Sequence, residues 1–300
     1  MHASLFGLVR IPVAPLREEP AHEAEMGTQA MLGTPVRLDS IADGEWWALE
    51  MPCGYRGYIH VSSIAVLQEA EALEWKRARR QMAIANIAFL QACDGGSAKG
   101  YVPYGGVVEY IGKRSGEMIE VALPSGEHAL GYAQDFIDLD AASAAEPDKA
   151  ALERVIERGM SMKGAPYLWG GTSPLAPDCS GFTQMCWREA GLLLPRNASQ
   201  QALVGEEVAG PENARRGDML FFASPSGRID HVGIYLGEGR MLQSSGIVYE
   251  ATMRADDASP EVPFYRRRPA AIRRLCGAAQ LPFLRDNDMY FAPESLTAGE

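Results

Sequence analysis

Tyr167-Leu168-Trp169-Gly170-Gly171 and then Asp178-Cys179-Ser180-Gly181-Phe182 place a cysteine where a Pro/Gly-rich loop gives way to a helix-forming run. The position matters because thiolate is the reactive form, and a free thiol with pKa about 8.5 is only a few per cent ionised at pH 7. The first turn of a helix presents unpaired N–H groups and partial positive charge, which favour thiolate and can hold an oxyanion. A cysteine nucleophile also needs a base. The chain has five histidines, His2, His22, His60, His128 and His231. His231 opens the apolar run Asp230-His231-Val232-Gly233-Ile234-Tyr235, a strand start beside a loop and so a platform for a base. Gln243 lies twelve residues on, in the next strand-like run Met241-Leu242-Gln243. If the two strands pair antiparallel, Gln243 comes beside His231 and accepts from its far ring nitrogen. The constellation Cys179–His231–Gln243 follows in outline from chemistry and spacing.

Most cysteines are small buried apolar residues rather than nucleophiles. That reading holds for Cys53, Cys93, Cys186 and Cys276. Cys186 falls two turns after Cys179 on the same helix face, where core packing is expected. Around this centre, Leu152–Met162 reads as a helix, and residues 178–191 as a second one ended by Gly191. Met219–Phe222, His231–Tyr235 and Met241–Gln243 read as successive strands. Helices first and an antiparallel meander afterwards make an α+β domain over residues 150–275.

Upstream, residues 1–66 read as a small all-β barrel. Val36-Arg37-Leu38, a turn at Asp43-Gly44, Trp46-Trp47-Ala48-Leu49, a turn at Cys53-Gly54 and Tyr55–Ile59 alternate as short strands do. Trp46 and Trp47 are expected to be its core and rim. Leu67–Ala92 lacks Gly and Pro, is rich in helix formers and reads as helix, giving a helical connector over 67–95. Gly44–Leu49 resembles Gly116–Val121, and Gly57-Tyr58-Ile59 resembles Gly131-Tyr132-Ala133, at nearly matching separations. A repeat of the barrel over 96–140 is therefore expected. Asp138–Ala150 reads as a linker, Tyr265–Arg268 as a solvated strand edge, and residues 276–300 as a tail on the surface.

The chain has 300 residues, 47% of them hydrophobic and 22% charged, with a net charge of −11. That composition argues against global disorder and against a nucleic-acid partner. A cationic or zwitterionic partner is easier to accommodate. The N-terminal stretch has no cationic leader pattern and the chain has no run of 18 apolar residues, so a cytoplasmic protein without a membrane span is expected; a trimmed leader would instead imply a periplasmic or secreted one. Five cysteines is an odd number, and none has the spacing of a zinc site. A reducing compartment is expected, with no metal and no cofactor.

Five motifs in order, Pro166–Gly171, Asp178–Phe182, Pro195-Arg196-Asn197-Ala198-Ser199-Gln200, Arg216–Phe222 and Asp230–Tyr235, resemble the NlpC/P60 family of papain-like cysteine peptidases that cut bacterial cell-wall peptides. The resemblance implies a papain-like fold with Cys179 as nucleophile and His231 as base. The family's third polar residue is commonly His and sometimes Asn or Gln, and Gln243 takes its place. Gln cannot carry charge, so it orients His231 without stabilising an imidazolium as a carboxylate does.

Two bacterial SH3-like (SH3b) barrels ahead of such a domain resemble the γ-D-glutamyl-L-diamino-acid endopeptidases of the dipeptidyl-peptidase VI type. Leu16–Pro20 with Ala24–Gln29 is similar to their first barrel. In that type, a Glu and a Tyr of the first barrel bind the substrate's terminal ammonium; the matching positions are Glu25 and Tyr55, with Tyr58 as rival. The resemblance further implies Asp178 as a second carboxylate, alongside an N-cap role, and Trp169 as a wall. Ser180, Asn197 and Ser199 are implied as further substrate contacts. The implied function is release of L-Ala-γ-D-Glu from murein peptides with a free N-terminal L-Ala, by a monomer. Rival readings are an endopeptidase on intact peptidoglycan with wall-anchoring barrels, a wall-peptide-binding protein with a decayed site, and an amidase or acyltransferase on the same fold.

Overall fold

Alternation writes the first half of the chain into sheet. Val13-Ala14-Pro15-Leu16-Arg17 buries Ala14 and Leu16 and leaves the residues between them half-exposed, the period of a strand with one face on a core. The computed structural model describes residues 5–94, 96–113, 116–253 and 268–292. The chain divides into two units, Met1–Ala144 with Leu284–Glu300, and Ala145–Phe283.

The first unit opens with strands β1 (Leu5–Val9), β2 (Val13–Arg17), β3 (Met26–Met31), β4 (Pro35–Ala42), β5 (Trp46–Glu50), β6 (Arg56–His60) and β7 (Ile64–Leu67). They form a seven-stranded antiparallel sheet in the order β3-β2-β6-β5-β4-β1-β7. Its inner face buries Val9, Leu16, Val36, Leu38, Leu49 and Ile59, with Trp47 packed at the edge. Helix α1 (Glu69–Arg77) comes next, capped by a reciprocal Gln68–Glu71 box.

The helix expected over Leu67–Ala92 is thus nine residues long. Beyond it the chain turns to strand, in β8 (Arg80–Ala83) and β9 (Ile87–Gln91). Met82, Ala83, Ala88 and Leu90 are buried in a second sheet. That burial outweighs a helix preference worth less than about 1 kcal/mol per residue. The sheet continues with β10 (Ala98–Pro103), β11 (Val107–Lys113), β12 (Met118–Ala122), β13 (His128–Tyr132) and β14 (Phe136–Asp138). Its order is β10-β9-β13-β12-β11-β8-β14, which matches the first sheet strand for strand. The resembling stretches around Trp46–Leu49 and Met118–Val121 fall on corresponding strands, β5 and β12. Each strand order has two ends, so among the described residues neither sheet closes into the barrel expected of it.

The structure overturns two further expectations. The stretch read as a linker contains a short helix, α2 (Leu139–Ser143), whose Leu139 is buried. The stretch read as a surface tail returns to the first unit from Leu284 on. Leu284 and Tyr290 join Leu8, Trp75, Met82, Val107 and Leu139 in one cluster. Buried Arg80 donates to the Tyr290 carbonyl and lies over the Trp75 and Phe291 rings, at 4.7 and 5.2 Å from their centroids. The tail is in the core because its apolar residues complete a cluster that α1, α2 and β8 leave open.

The second unit holds α3 (Lys149–Ser161), α4 (Cys179–Arg188) and the short α5 (Ala198–Gln201). They come with β15 (Glu206–Glu207), β16 (Met219–Ala223), β17 (Ile229–Gly237), β18 (Arg240–Ser245), β19 (Ile247–Thr252) and β20 (Ala271–Arg274). The sheet order is β15-β20-β16-β17-β18-β19. The inner face of α4 buries Phe182, Met185, Cys186 and Trp187. This is the α+β arrangement read from the sequence. The arginine run Arg266-Arg267 lies outside the described residues.

Candidate active site

Asp178 ends the loop in extended backbone and caps α4, its Oδ1 accepting from the Gly181 N–H at 2.7 Å. The loop is fastened to the same point. The Gly170 N–H donates to Asp178 Oδ2 at 3.1 Å, and the Asp178 N–H donates to the Gly171 carbonyl at 3.0 Å. The approach is so close that a Cβ on Gly181 would lie 2.1 Å from the Gly171 oxygen. The glycines of the two motifs are therefore the means by which a loop and a helix start meet backbone to backbone.

Cys179 is the first residue of α4 and is buried. Its Sγ meets β17 edge-on, donating to the Asp230 carbonyl at 3.9 Å. The N–H groups of Val232 and Ser180 point back at the sulfur. The thiol thus touches backbone on both sides of His231. This is possible because the β17–β18 ladder begins only at Ile234↔Leu242, leaving the start of β17 open to the helix. Across that opening, His231 Nε2 and Gln243 Oε1 are 2.6 Å apart, both side chains buried. An amide oxygen only accepts, so in this pairing Nε2 carries the proton and Nδ1 is the unprotonated nitrogen. The sequence-predicted Cys179, His231 and Gln243 are brought to one place.

The electrostatics correct one expectation. Burial, and after it the Asp178 carboxylate, push the Cys179 thiol up to about 12. The Val232 and Ser180 N–H groups and the Arg196 guanidinium pull the other way and do not prevail. The helix start therefore does not hold a resting thiolate: desolvation outweighs the dipole. Burial also lowers His231, opposed by its hydrogen bond to Gln243 and by Asp230 and Asp178. Tyr167 is raised, by burial first and then by Cys179. Burial therefore favours the neutral form of both the thiol and the imidazole. Such a pair can act by moving the thiol proton to Nδ1 as attack develops.

The sequence reading assigned no role to Arg196. It is buried, and its two terminal nitrogens reach both oxygens of Asp178, Nη1 to Oδ1 at 3.2 Å and Nη2 to Oδ2. Nη1 also donates to Ser180 Oγ at 2.8 Å, and Ser180 Oγ lies 3.2 Å from Asp178 Oδ1. Asp178 is thus engaged by Arg196, Ser180, Gly170 and Gly181 together. The only sequence signal was an arginine inside a quoted motif.

Known proteins are similar to parts of this chain in sequence and to its fold. Residues 164–261 match the model of the NlpC/P60 family. This segment is an NlpC/P60 domain. The NlpC/P60 domain is 38% identical over 115 residues to a gamma-D-glutamyl-L-lysine dipeptidyl-peptidase of Bacillus subtilis, the match covering 38% of this chain and 38% of that protein. It is 35% identical over 132 residues to the peptidoglycan endopeptidase RipB of Mycobacterium tuberculosis, covering 40% of this chain and 54% of that one. The matches thus span about two-fifths to half of those relatives. A solved NlpC/P60 family protein from Bacillus cereus superposes with a TM-score of 0.77 at 22% identity, over 90% of this chain and 99% of that one. That likeness carries the fold beyond the NlpC/P60 domain into the first unit.

Within the NlpC/P60 domain, Trp169 stands 60% exposed on the loop above Gly170. Ser180 is buried in the Arg196 contact, while Asn197 and Ser199 are exposed at the start of α5, which Asn197 caps. Glu25 and Tyr55 belong to the first unit. Glu25 is exposed at the end of the β2–β3 loop, its carbonyl accepting from the Glu18 N–H at 3.0 Å. The Tyr55 hydroxyl fills the space a side chain on Gly27 would take, two residues from Glu25. Tyr58 instead lies opposite Arg17 and Ala48 in the sheet. Of the cysteines expected in the core, only Cys186 is fully buried; Cys53 and Cys276 are half-buried and Cys93 is exposed in a turn.

Proposed function

We propose that this chain is a cysteine peptidase that hydrolyses the γ-D-glutamyl–diamino-acid bond of cell-wall peptides with a free N-terminal L-Ala, releasing L-Ala-γ-D-Glu. The observation that carries the reading is the thiol of Cys179 lodged against the backbone either side of His231, whose Nε2 is held by Gln243. The similarity to a protein named for γ-D-glutamyl-L-lysine cleavage supports the bond type.

His231 Nδ1 takes the thiol proton as Cys179 Sγ attacks the γ-carbonyl carbon. N–H groups at the start of α4 receive the oxyanion. The imidazolium, unsupported by any charge on Gln243, gives its proton to the leaving amine, which departs and leaves a thioester. His231 then deprotonates water, which attacks the thioester and regenerates the thiol. Recognition of the terminal ammonium is assigned to Glu25, with the Tyr55 hydroxyl rather than Tyr58, because Tyr55 packs beside the Glu25 segment. The two sheets of matching order are assigned as SH3-like modules.

Cys179→Ala should abolish release of the dipeptide from L-Ala-γ-D-Glu-meso-diaminopimelate, read by mass spectrometry; retained turnover sinks the mechanism. Glu25→Ala should weaken free-amine peptides far more than N-acetylated ones, and equal effects remove its role. The likeness to RipB favours a second reading, action on intact peptidoglycan. Digestion of sacculi beside soluble muropeptides separates the two.

A further inference from the structure

We propose that Arg196 is the positioning residue of this site: through Asp178 and Ser180 it fixes the start of the Cys179 helix and the Trp169–Gly171 loop in one arrangement. The proposal rests on the peptidase reading only in its turnover arm. Three observations support it.

First, Arg196 and Asp178 are both nearly inaccessible, with side chains 3% and 8% exposed, and they sit at the foot of the nucleophile rather than on the surface. A buried ion pair is costly to desolvate, and removing one partner strands the other. The pair therefore holds its geometry tightly. Second, these prongs of the contact end on elements of the site. Asp178 Oδ1 takes the Gly181 N–H of α4 and Oδ2 takes the Gly170 N–H of the loop that carries Trp169. Arg196 Nη1 adds Ser180 Oγ, the residue after the nucleophile. Third, the sign of the charge matters. Asp178 alone, adjoining Cys179, opposes thiolate; Arg196 opposes Asp178. The other groups near the sulfur are the Val232 and Ser180 N–H groups, the Asp230 backbone carbonyl and Tyr167, none of which is a cation. Arg196 therefore supplies the only fixed positive charge among these neighbours. The fork also explains why an arginine stands here rather than a lysine, because only a guanidinium reaches both carboxylate oxygens.

The test uses the full chain and the variants Arg196→Met, Arg196→Lys and Arg196→Met/Asp178→Asn. The rate of Cys179 alkylation by iodoacetamide is followed against pH, with peptide mass mapping to read Cys179 apart from the other four cysteines. Circular dichroism reports folding, and kcat and KM are measured on the tripeptide. Arg196→Met should slow Cys179 alkylation about tenfold at a given pH and displace the profile upward. The double variant, with neither charge, should recover most of that rate. Arg196→Lys should keep the profile near its place and lower kcat, because the charge stays and the two-pronged contact goes. A folded Arg196→Met with wild-type alkylation and kcat overturns the proposal, as does a double variant no faster than Arg196→Met. If Arg196→Met does not fold, Arg196→Lys decides, and wild-type kcat there refutes the need for the fork. Loss of fold in all three variants makes Arg196 purely structural and equally overturns it. Alkylation needs no substrate, so an inactive wild-type chain with the expected alkylation pattern would fail the peptidase reading and leave Arg196 in place.

Discussion

Gly181→Ala sets two effects against each other. Gly181 lies in the first turn of α4, and replacing a helical glycine by alanine ordinarily stabilises by up to about 1 kcal/mol. Here the new methyl would lie 2.1 Å from the Gly171 carbonyl oxygen and 3.0 Å from Thr172 Cγ2. The first neighbour is backbone and cannot rotate aside, so helix and loop must part by about 1 Å to reach van der Waals contact. Overpacking of this kind costs about 1–3 kcal/mol, so against the full propensity gain sterics should still leave a net loss of up to about 2 kcal/mol and lower Tm by up to about 8 °C. The displacement falls between Gly170–Gly171 and Cys179, with the Asp178 cap in between. A shift of about 1 Å at a reacting group costs up to about a hundredfold in rate, so kcat/KM should fall far more than stability does. Calorimetric melting and peptide turnover are the two assays. A variant that melts higher than wild type and turns over normally would refute the close-approach argument and leave helix propensity as the governing term.

Burial lowers His231, so the acid limb of kcat/KM should have its midpoint below 6.5, and a limb at or above that value removes His231 as the base. The same shift acts on stability. The folded state binds the proton more weakly than the unfolded chain, so this contribution is full above about 6.5 and is lost as pH falls toward and through the folded value. Urea unfolding at pH 7 and pH 5 reads it, and greater stability at pH 5 arising at this residue would contradict the sign. Gln243→Leu removes the hydrogen bond that raises His231, so the acid limb should move lower and kcat should fall; an unmoved limb denies the contact a role. Tyr290→Ala should cost about 3–5 kcal/mol by chemical denaturation, because Tyr290 is fully buried with Trp75 and Leu139; a loss under about 1 kcal/mol would return the tail to the surface.

The half of the chain that holds the NlpC/P60 domain was more legible than the first half, for a physical reason. Its motifs are dense with residues that each answer a local constraint: Gly181 where backbone meets backbone, Asp178 at a cap, His231 near the start of a strand. Each reports a local constraint that can be read one residue at a time. The run after α1 carries no such marker. Ile87-Ala88-Phe89-Leu90-Gln91 does alternate, with Ala88 and Leu90 buried and Phe89 exposed. The alternation is too short to outweigh a run of helix formers without a partner strand in view. Arg80-Gln81-Met82-Ala83 is buried throughout and has no period at all. Its strand state is imposed by β11 and β14 on either side. The tail was unreadable for the same reason, since Tyr290 has a role only because Trp75 and Arg80 are distant in sequence and close in space.

Arg196 was the harder omission, and it changes how the chain's acidity is read. An excess of eleven negative charges makes any single carboxylate look like surface or substrate binding. Asp178 is neither exposed nor unpaired: it is 6% exposed, and a guanidinium neutralises it. Its negative charge adjoins a thiol that the proposed mechanism requires to become negative, an arrangement that opposes that step unless a cation stands beside it. The sequence separates that cation from Asp178 by 18 positions and a helix. Motif reading sees both residues and has no means of pairing them. Burial is what converts the pair from two ordinary charges into a constraint, because a charge that cannot reach water must find its partner in one place. The neutral resting state of Cys179 follows from the same burial. The site excludes water strongly enough to hold the ion pair in register, and that exclusion raises the thiol. On the proposed mechanism, the proton transfer to His231 is then left to the step in which substrate brings its own polar carbonyl into the opening.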